Sequence, residues 1–180
     1  MTAIAAAEHG NAVWMGGDSA FSTDDAVWIQ SESKVFRRGP VVFGTAGRAR
    51  WETLLRYVVE VPPVKRDTDP HRWANVDLAS AIRKAATQEG FTNENGFVEF
   101  EGCEAMVGVL GKLFVIEFDL SAWRPLCGYH AIGSGGEHAR VSLTETADRK
   151  LQPKTRIKRA LQQSADKTPF VRPPFTFESA

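Results

Sequence analysis

The chain alternates twice between a block of short apolar runs and a pair of amphipathic helical stripes, then ends on one more short run. Helices that cluster between runs of antiparallel strands are expected to cover two sheets packed face to face. In the first block, Ile4 to Ala7 and Ala12 to Met15 flank Glu8-His9-Gly10-Asn11, the pattern of a hairpin with a Gly-Asn tip. Val27 to Ile29 and Lys34 to Phe36 suit a second strand pair, and Val41 to Gly44 suits a buried strand. Trp51, Leu54, Leu55, Val58 and Val59 then recur at helical spacing, and Pro62-Pro63 ends that stripe. Residues 62–72 read as a polar loop. A second helix is expected from Trp73 through Val76, Ala79, Ile82 and Ala86, closed by Gly90.

The second block repeats the plan. Ala105 to Leu110 and Leu113 to Phe118 flank Gly111-Lys112, which suits a tight turn with positive φ at its first position. Trp123 to Leu126 and Tyr129 to Ile132 are expected to continue the same sheet. Gly133 to Gly136 opens a third helix with Glu137 in its first turn, where the helix dipole favours an acid. Pro153 suits the first position of a fourth helix, with Ile157, Ala160, Leu161 and Ser164 along one face. Val171 to Phe177 reads as a last strand, placed at a sheet edge by Pro173-Pro174. The result is an α+β chain.

At 180 residues the whole span, 1–180, suits one domain, since two halves would each bury a marginal core. Lys plus Arg and Asp plus Glu balance at 22 each, so no net field favours nucleic acid or acidic membranes. No run approaches the ~20 apolar residues of a membrane span, and a cytoplasmic location is expected. Cys103 and Cys127 make neither a disulfide framework nor a zinc site, and the four histidines show no metal-ligand spacing.

The chemistry concentrates at the start. Met is commonly trimmed before a small residue, and its removal would leave Thr2 at the N-terminus. A threonine hydroxyl alone is a weak nucleophile. An N-terminal threonine carries its own base, because the free α-amine lies within reach of its Oγ. That amine titrates near pH ~8 in model peptides, and a nearby cation favours its neutral form. Asp18 follows Thr2 by sixteen residues and Lys34 follows Asp18 by sixteen more. The plainer alternatives are a turn-forming Asp18 and an edge-strand Lys34 that discourages aggregation.

Thr2 and the strand behind it, Gly17-Asp18, Lys34-Val35, Val41 to Gly47 and the turn Ala131 to Gly136 stand in an order that resembles the proteasome β-subunit family, most closely its bacterial HslV-type branch. The resemblance implies a four-layer αββα sandwich of two antiparallel sheets, the N-terminal-nucleophile (Ntn) hydrolase fold. It implies Thr2 as nucleophile, Asp18 as orienter, Lys34 as the cation beside the amine, and Ser134 as a proton relay near it. Gly47 is implied as the oxyanion donor, although a plain strand-to-helix turn would explain it as well. Asp166 is implied as a further polar partner, with Pro169 standing where many relatives carry serine. Phe21, Glu32, Thr45 and Arg48 are expected to line the side-chain pocket. No cofactor is required, but the resemblance implies a structural sodium ion on the main-chain carbonyls of Ala165, Thr168 and Val171, since backbone oxygens suit a hard cation.

The implied activity is threonine endopeptidase cleavage of unfolded protein inside a homo-oligomeric ring or double ring, with a ring ATPase as unfoldase partner. A chain with no propeptide ahead of Met1-Thr2 fits the HslV-type branch. Two alternatives stay open: a noncatalytic ring scaffold and a small-molecule Ntn amidohydrolase.

Overall fold

The computed structural model describes residues 1–23, 25–91 and 100–180. Its strands in chain order are β1 (Ile4–His9), β2 (Ala12–Gly17), β3 (Ala20–Ser22), β4 (Val27–Ile29), β5 (Val35–Arg38) and β6 (Val41–Ala46). They continue as β7 (Glu104–Val109), β8 (Lys112–Ile116), β9 (Ala122–Trp123), β10 (Tyr129–Ile132) and β11 (Thr176–Ser179). Every strand pair is antiparallel. One sheet has the order β10-β1-β2-β11, a second β5-β6-β7-β8-β9, and β3-β4 forms a separate ribbon.

Period-two alternation along these strands produces the layers. Ile4, Ala6, Val13 and Met15 of the first sheet meet Val35, Val42, Met106, Leu113 and Val115 of the second in a middle core. The alternate residues Ala3 and Ala5 point the other way and pack on Leu143, Ile157 and Leu161. Those come from the third and fourth helices, Gly136–Glu145 and Pro153–Lys167. On the far side, Val41, Phe43, Val107 and Phe114 pack on Trp51, Leu55, Trp73, Leu78 and Ile82 of the first two helices. Two sheets that are apolar on both faces must be covered on both, which yields the αββα sandwich expected from the sequence. Each fully buried Leu, Ile or Phe in these layers contributes about 1.5–3 kcal/mol.

Several local expectations change. Val27–Ile29 pairs with Ala20–Ser22, not with the segment after Lys34, and the latter pairs with β6 as a hairpin of the second sheet. The turn between β7 and β8 is Leu110-Gly111, both at positive φ (50° and 70°), one residue earlier than expected. β9 joins the second sheet, but β10 crosses to pair with β1 in the first. The last strand begins after the prolines, at Thr176, and takes the expected edge beside β2.

The second helix starts at Pro70, because Asp69 accepts hydrogen bonds from the N–H groups of His71 and Arg72 and so caps it. Its next stretch, Trp73–Leu78, is π-helical, as is Leu54–Val58 after the opening turn Ala49–Thr53 of the first helix. A wider turn moves the buried face from i+3 to i+5. Trp73 is therefore followed inward by Leu78, while Val76 is 46% exposed. The helix resumes α geometry over Ala79–Gln88.

Candidate active site

Strand register brings Thr2, Asp18 and Lys34 together from three elements. Ile4 lies opposite Ile132, so stepping back two residues sets Thr2 beside Ser134. The Thr2 N–H donates to Ser134 Oγ at 3.2 Å, and the Gly135 N–H donates to the Thr2 carbonyl at 3.0 Å. On the other flank Ile4 lies opposite Gly17, which sets Ala3 beside Asp18. The Asp18 N–H donates to the Ala3 carbonyl at 3.2 Å. Lys34 precedes β5 in the facing sheet, and its carbonyl accepts the Thr45 N–H at 3.1 Å.

Asp18 is fully buried and its carboxylate is saturated. Oδ1 accepts from the Ala3 N–H at 3.0 Å and from Lys34 Nζ at 2.8 Å. Oδ2 accepts from the Ala20 N–H at 3.0 Å and the Arg172 N–H at 3.4 Å. Four donors thus surround one carboxylate where water is excluded. Lys34, 5% exposed, also donates to the Met1 carbonyl at 3.2 Å, so its ammonium reaches the peptide bond that carries the Thr2 nitrogen. Burial pushes the Lys34 ammonium below its ordinary pKa, and Asp18 opposes that shift. Desolvation first, and Lys34 second, lower the pKa of the Met1 amine, with Asp18 again opposing.

Thr2 stands between two depressions. One, of about 440 Å³ including its open mouth, is lined by Phe21, Ser22, Thr45, Arg48 and Glu52 among others. The buried Thr45 hydroxyl has no hydrogen-bond partner among the described residues. Burial pushes the Glu52 carboxyl above its ordinary pKa, against the pull of Arg56. Glu32, expected here, lines the neighbouring depression instead, where it pairs with Arg56 at 3.6 Å and accepts from the Tyr57 hydroxyl at 3.0 Å. The other depression beside Thr2, about 680 Å³ with its mouth, is lined by Gly102, Glu104, Gly133 and Ser134.

Gly47 borders both depressions at the end of β6. Its φ is +115°, and an added Cβ would run into the Gly102 carbonyl and Cys103, so the position admits glycine alone. Among the described residues no backbone acceptor takes its N–H. Gly133 is similarly constrained: at φ +82° an added Cβ would strike the Thr2 carbonyl.

Asp166 stands apart from this cluster. It is exposed on the fourth helix and accepts from Gln162 Nε2 at 2.8 Å. Proline at 169 denies the Ala165 carbonyl its helical i+4 donor, which leaves that oxygen available at the turn containing Thr168 and Val171. Among the described residues, no group of three or more His, Cys, Asp or Glu side chains could hold a metal.

Three further contributors were not singled out in the sequence. Glu104 Oε2 accepts the Gly133 N–H at 3.1 Å. Ser164 donates through Oγ to the Gly135 carbonyl at 2.7 Å, fixing the turn that holds Thr2. Arg172 contributes its backbone N–H to Asp18. Ser164 did leave a signal, as the polar member of an otherwise apolar helix face; the others depend on long-range register.

No protein-family model matches the chain, and no curated protein matches it in sequence. Solved structures do match it in fold. BPH from Thiobacillus denitrificans, in complex with epoxomicin, superposes with a TM-score of 0.75 at 13% identity, over 99% of this chain and 98% of that one. Eukaryotic HslV from Trypanosoma brucei gives 0.70 at 20% identity, over 99% and 98%. The Anbu (Gly-1) mutant from Hyphomicrobium sp. strain MC1 gives 0.70 at 14% identity, over 98% of this chain and 80% of that one. The chain has the proteasome-like Ntn-hydrolase fold.

Proposed function

We propose that, once Met1 is removed, the chain is an N-terminal threonine endopeptidase. The observation that supports it best is the buried Lys34–Asp18 pair at 2.8 Å, with Lys34 Nζ reaching the Met1 carbonyl. A scaffold has no need to desolvate a lysine at that position, and the desolvation costs stability that its pairing only partly offsets.

In this mechanism Thr2 Oγ attacks the scissile carbonyl and its proton passes to the α-amine of Thr2. Lys34 disfavours the ammonium form of that amine, while Asp18 keeps Lys34 charged and holds the Ala3 N–H that orients the terminus. The Gly47 N–H stabilises the oxyanion. Collapse breaks the C–N bond, the amine returns the proton to the leaving nitrogen through or beside Ser134, and a Thr2 ester remains for water to hydrolyse. Asp166, exposed on the fourth helix and hydrogen-bonded to Gln162, takes no step in this path.

A sodium ion on the carbonyls of Ala165, Thr168 and Val171 belongs to the same reading. It would stiffen the turn that delivers the Arg172 N–H to Asp18. Substrates are unfolded chains, confined in a homo-oligomeric ring or double ring closed by a heterologous interface and fed by a ring ATPase. Among the described residues no helix is long and apolar enough to cross a membrane. A cytoplasmic location is part of the same proposal.

A peptide epoxyketone, the class of the epoxomicin bound to the BPH neighbour, is the probe. Intact mass of the wild type should lack Met1 and gain one inhibitor per chain, and Thr2→Ala should gain none. Retention of Met1 in peptide-cleaving material, or labelling of Thr2→Ala, would refute the mechanism. A labelled protein that hydrolyses small amides but not peptides would favour the amidohydrolase.

A further inference from the structure

We propose that Glu104 makes the leaving-group side of the site select a basic residue, Lys or Arg, immediately after the scissile bond; this rests on the threonine-peptidase reading above. The proton taken from Oγ goes to the Thr2 amine and then to the leaving nitrogen, so that nitrogen lies on the amine's side of the nucleophile. The Thr2 N–H donates a hydrogen bond to Ser134 Oγ, and Ser134 belongs to the depression that also holds Glu104. The leaving half of the substrate therefore passes Glu104.

Glu104 carries the only ionisable side chain among the described residues lining that depression. Lys34 and Arg48 line the opposite one. The carboxylate is held in place: Oε2 accepts the Gly133 N–H at 3.1 Å, and the Glu104 carbonyl accepts from Trp51 Nε1 at 3.1 Å. Among the described residues it makes no ion pair. A half-buried, preorganised carboxylate beside open space favours a long cationic side chain and repels an acidic one.

The test is kcat/KM for peptides that differ only in the residue after the cleaved bond: Lys, Leu or Glu. The wild type should prefer Lys over Leu by about fivefold, the scale of a part-exposed ion pair, with Glu the poorest. Glu104→Gln keeps an acceptor for the Gly133 N–H but loses the charge, so the Lys-to-Leu ratio should fall to about one. A merely structural role would lower all three peptides together and leave the ratio intact, which would overturn the proposal. Should Glu104→Gln misfold, product inhibition of the wild type supplies the second reading. Short peptides beginning with Lys should inhibit more strongly than those beginning with Leu, and added salt should erase the difference. Equal inhibition by the two peptides at low salt would also overturn it. Failure of epoxyketone labelling at Thr2 would instead strike the peptidase reading itself.

Discussion

Lys34 is nearly dry and leans on a single carboxylate, so the behaviour of the site should turn on that pair. Asp18→Asn leaves Lys34 without its counter-charge and should cost about 3–5 kcal/mol of stability, measured by denaturant unfolding. In the proposed mechanism, Lys34→Met removes the cation that disfavours the ammonium form of the Thr2 amine. Turnover in that mechanism rises as the amine loses its proton, and a neighbouring cation favours the neutral form, so the acid limb of the pH–rate profile should move up in Lys34→Met. Lys34→Arg keeps the charge but not the compact donor that reaches both Asp18 and the Met1 carbonyl, and should restore little. Activity losses in the double variant should fall well short of the product of the single ones. An unmoved acid limb would make Lys34 a structural cation. Asp18 and Lys34 were legible from their spacing to Thr2, but the Ala20 and Arg172 N–H donors were not. Backbone donors leave no mark in the side-chain sequence.

At the scale of elements, two glycine turns carry the site on the ends of β6 and β10. Gly133 has its backbone against the Thr2 carbonyl, with φ at +82°. Gly133→Ala should therefore displace Thr2 and cost more than about 1 kcal/mol, because the strained φ and the close backbone approach act together. Both effects are measurable, by thermal unfolding and by the rate of epoxyketone labelling. By contrast Gly10→Ala, at φ +60° in an open hairpin tip with nothing within 4 Å, should carry only the strain and leave labelling unchanged. If the two variants label equally, the Gly133 turn does not position the nucleophile. The helical stripes were legible where the helix kept α geometry, as along Ile157, Ala160 and Leu161. They slipped at Val76, because a π-helical stretch is selected by packing on the sheet and has no signature in apolar spacing.

On the scale of the whole molecule, the sheets are tied at the end away from Thr2 by Glu8, at the foot of β1. Its carboxylate accepts the Leu113 N–H of β8 at 2.8 Å and pairs with Arg124 at 2.8 Å. Burial alone would raise the Glu8 pKa, but the Arg124 hydrogen bond and the Leu113 N–H outweigh it and hold the carboxyl below its ordinary value. A depressed carboxyl stabilises the fold fully above the unfolded value of ~4.3, and that contribution disappears as pH falls through the folded value. Glu8→Gln should therefore lower stability by about 1–2 kcal/mol at pH 7. The gap to the wild type should close in the acid range below the ordinary glutamate value. A gap independent of pH would mean that packing, not charge, is lost in Glu8→Gln.

Alternation of apolar residues and the clustering of helices pointed to an α+β chain with helices covering packed sheets, while the αββα sandwich itself was chosen by the resemblance to the proteasome β-subunit family. Thr2, Asp18 and Lys34 stood out by residue type and by their sixteen-residue spacing, and Ser134 by the resemblance of its turn to the family's. Partner choice was decided only in three dimensions. β10 crosses to the first sheet and sets Ser134 beside Thr2, β3 takes β4 away from the segment after Lys34, and Glu104 arrives from a strand a hundred residues distant in sequence. Those pairings join segments far apart in the chain, a property of the packed whole that no single segment encodes.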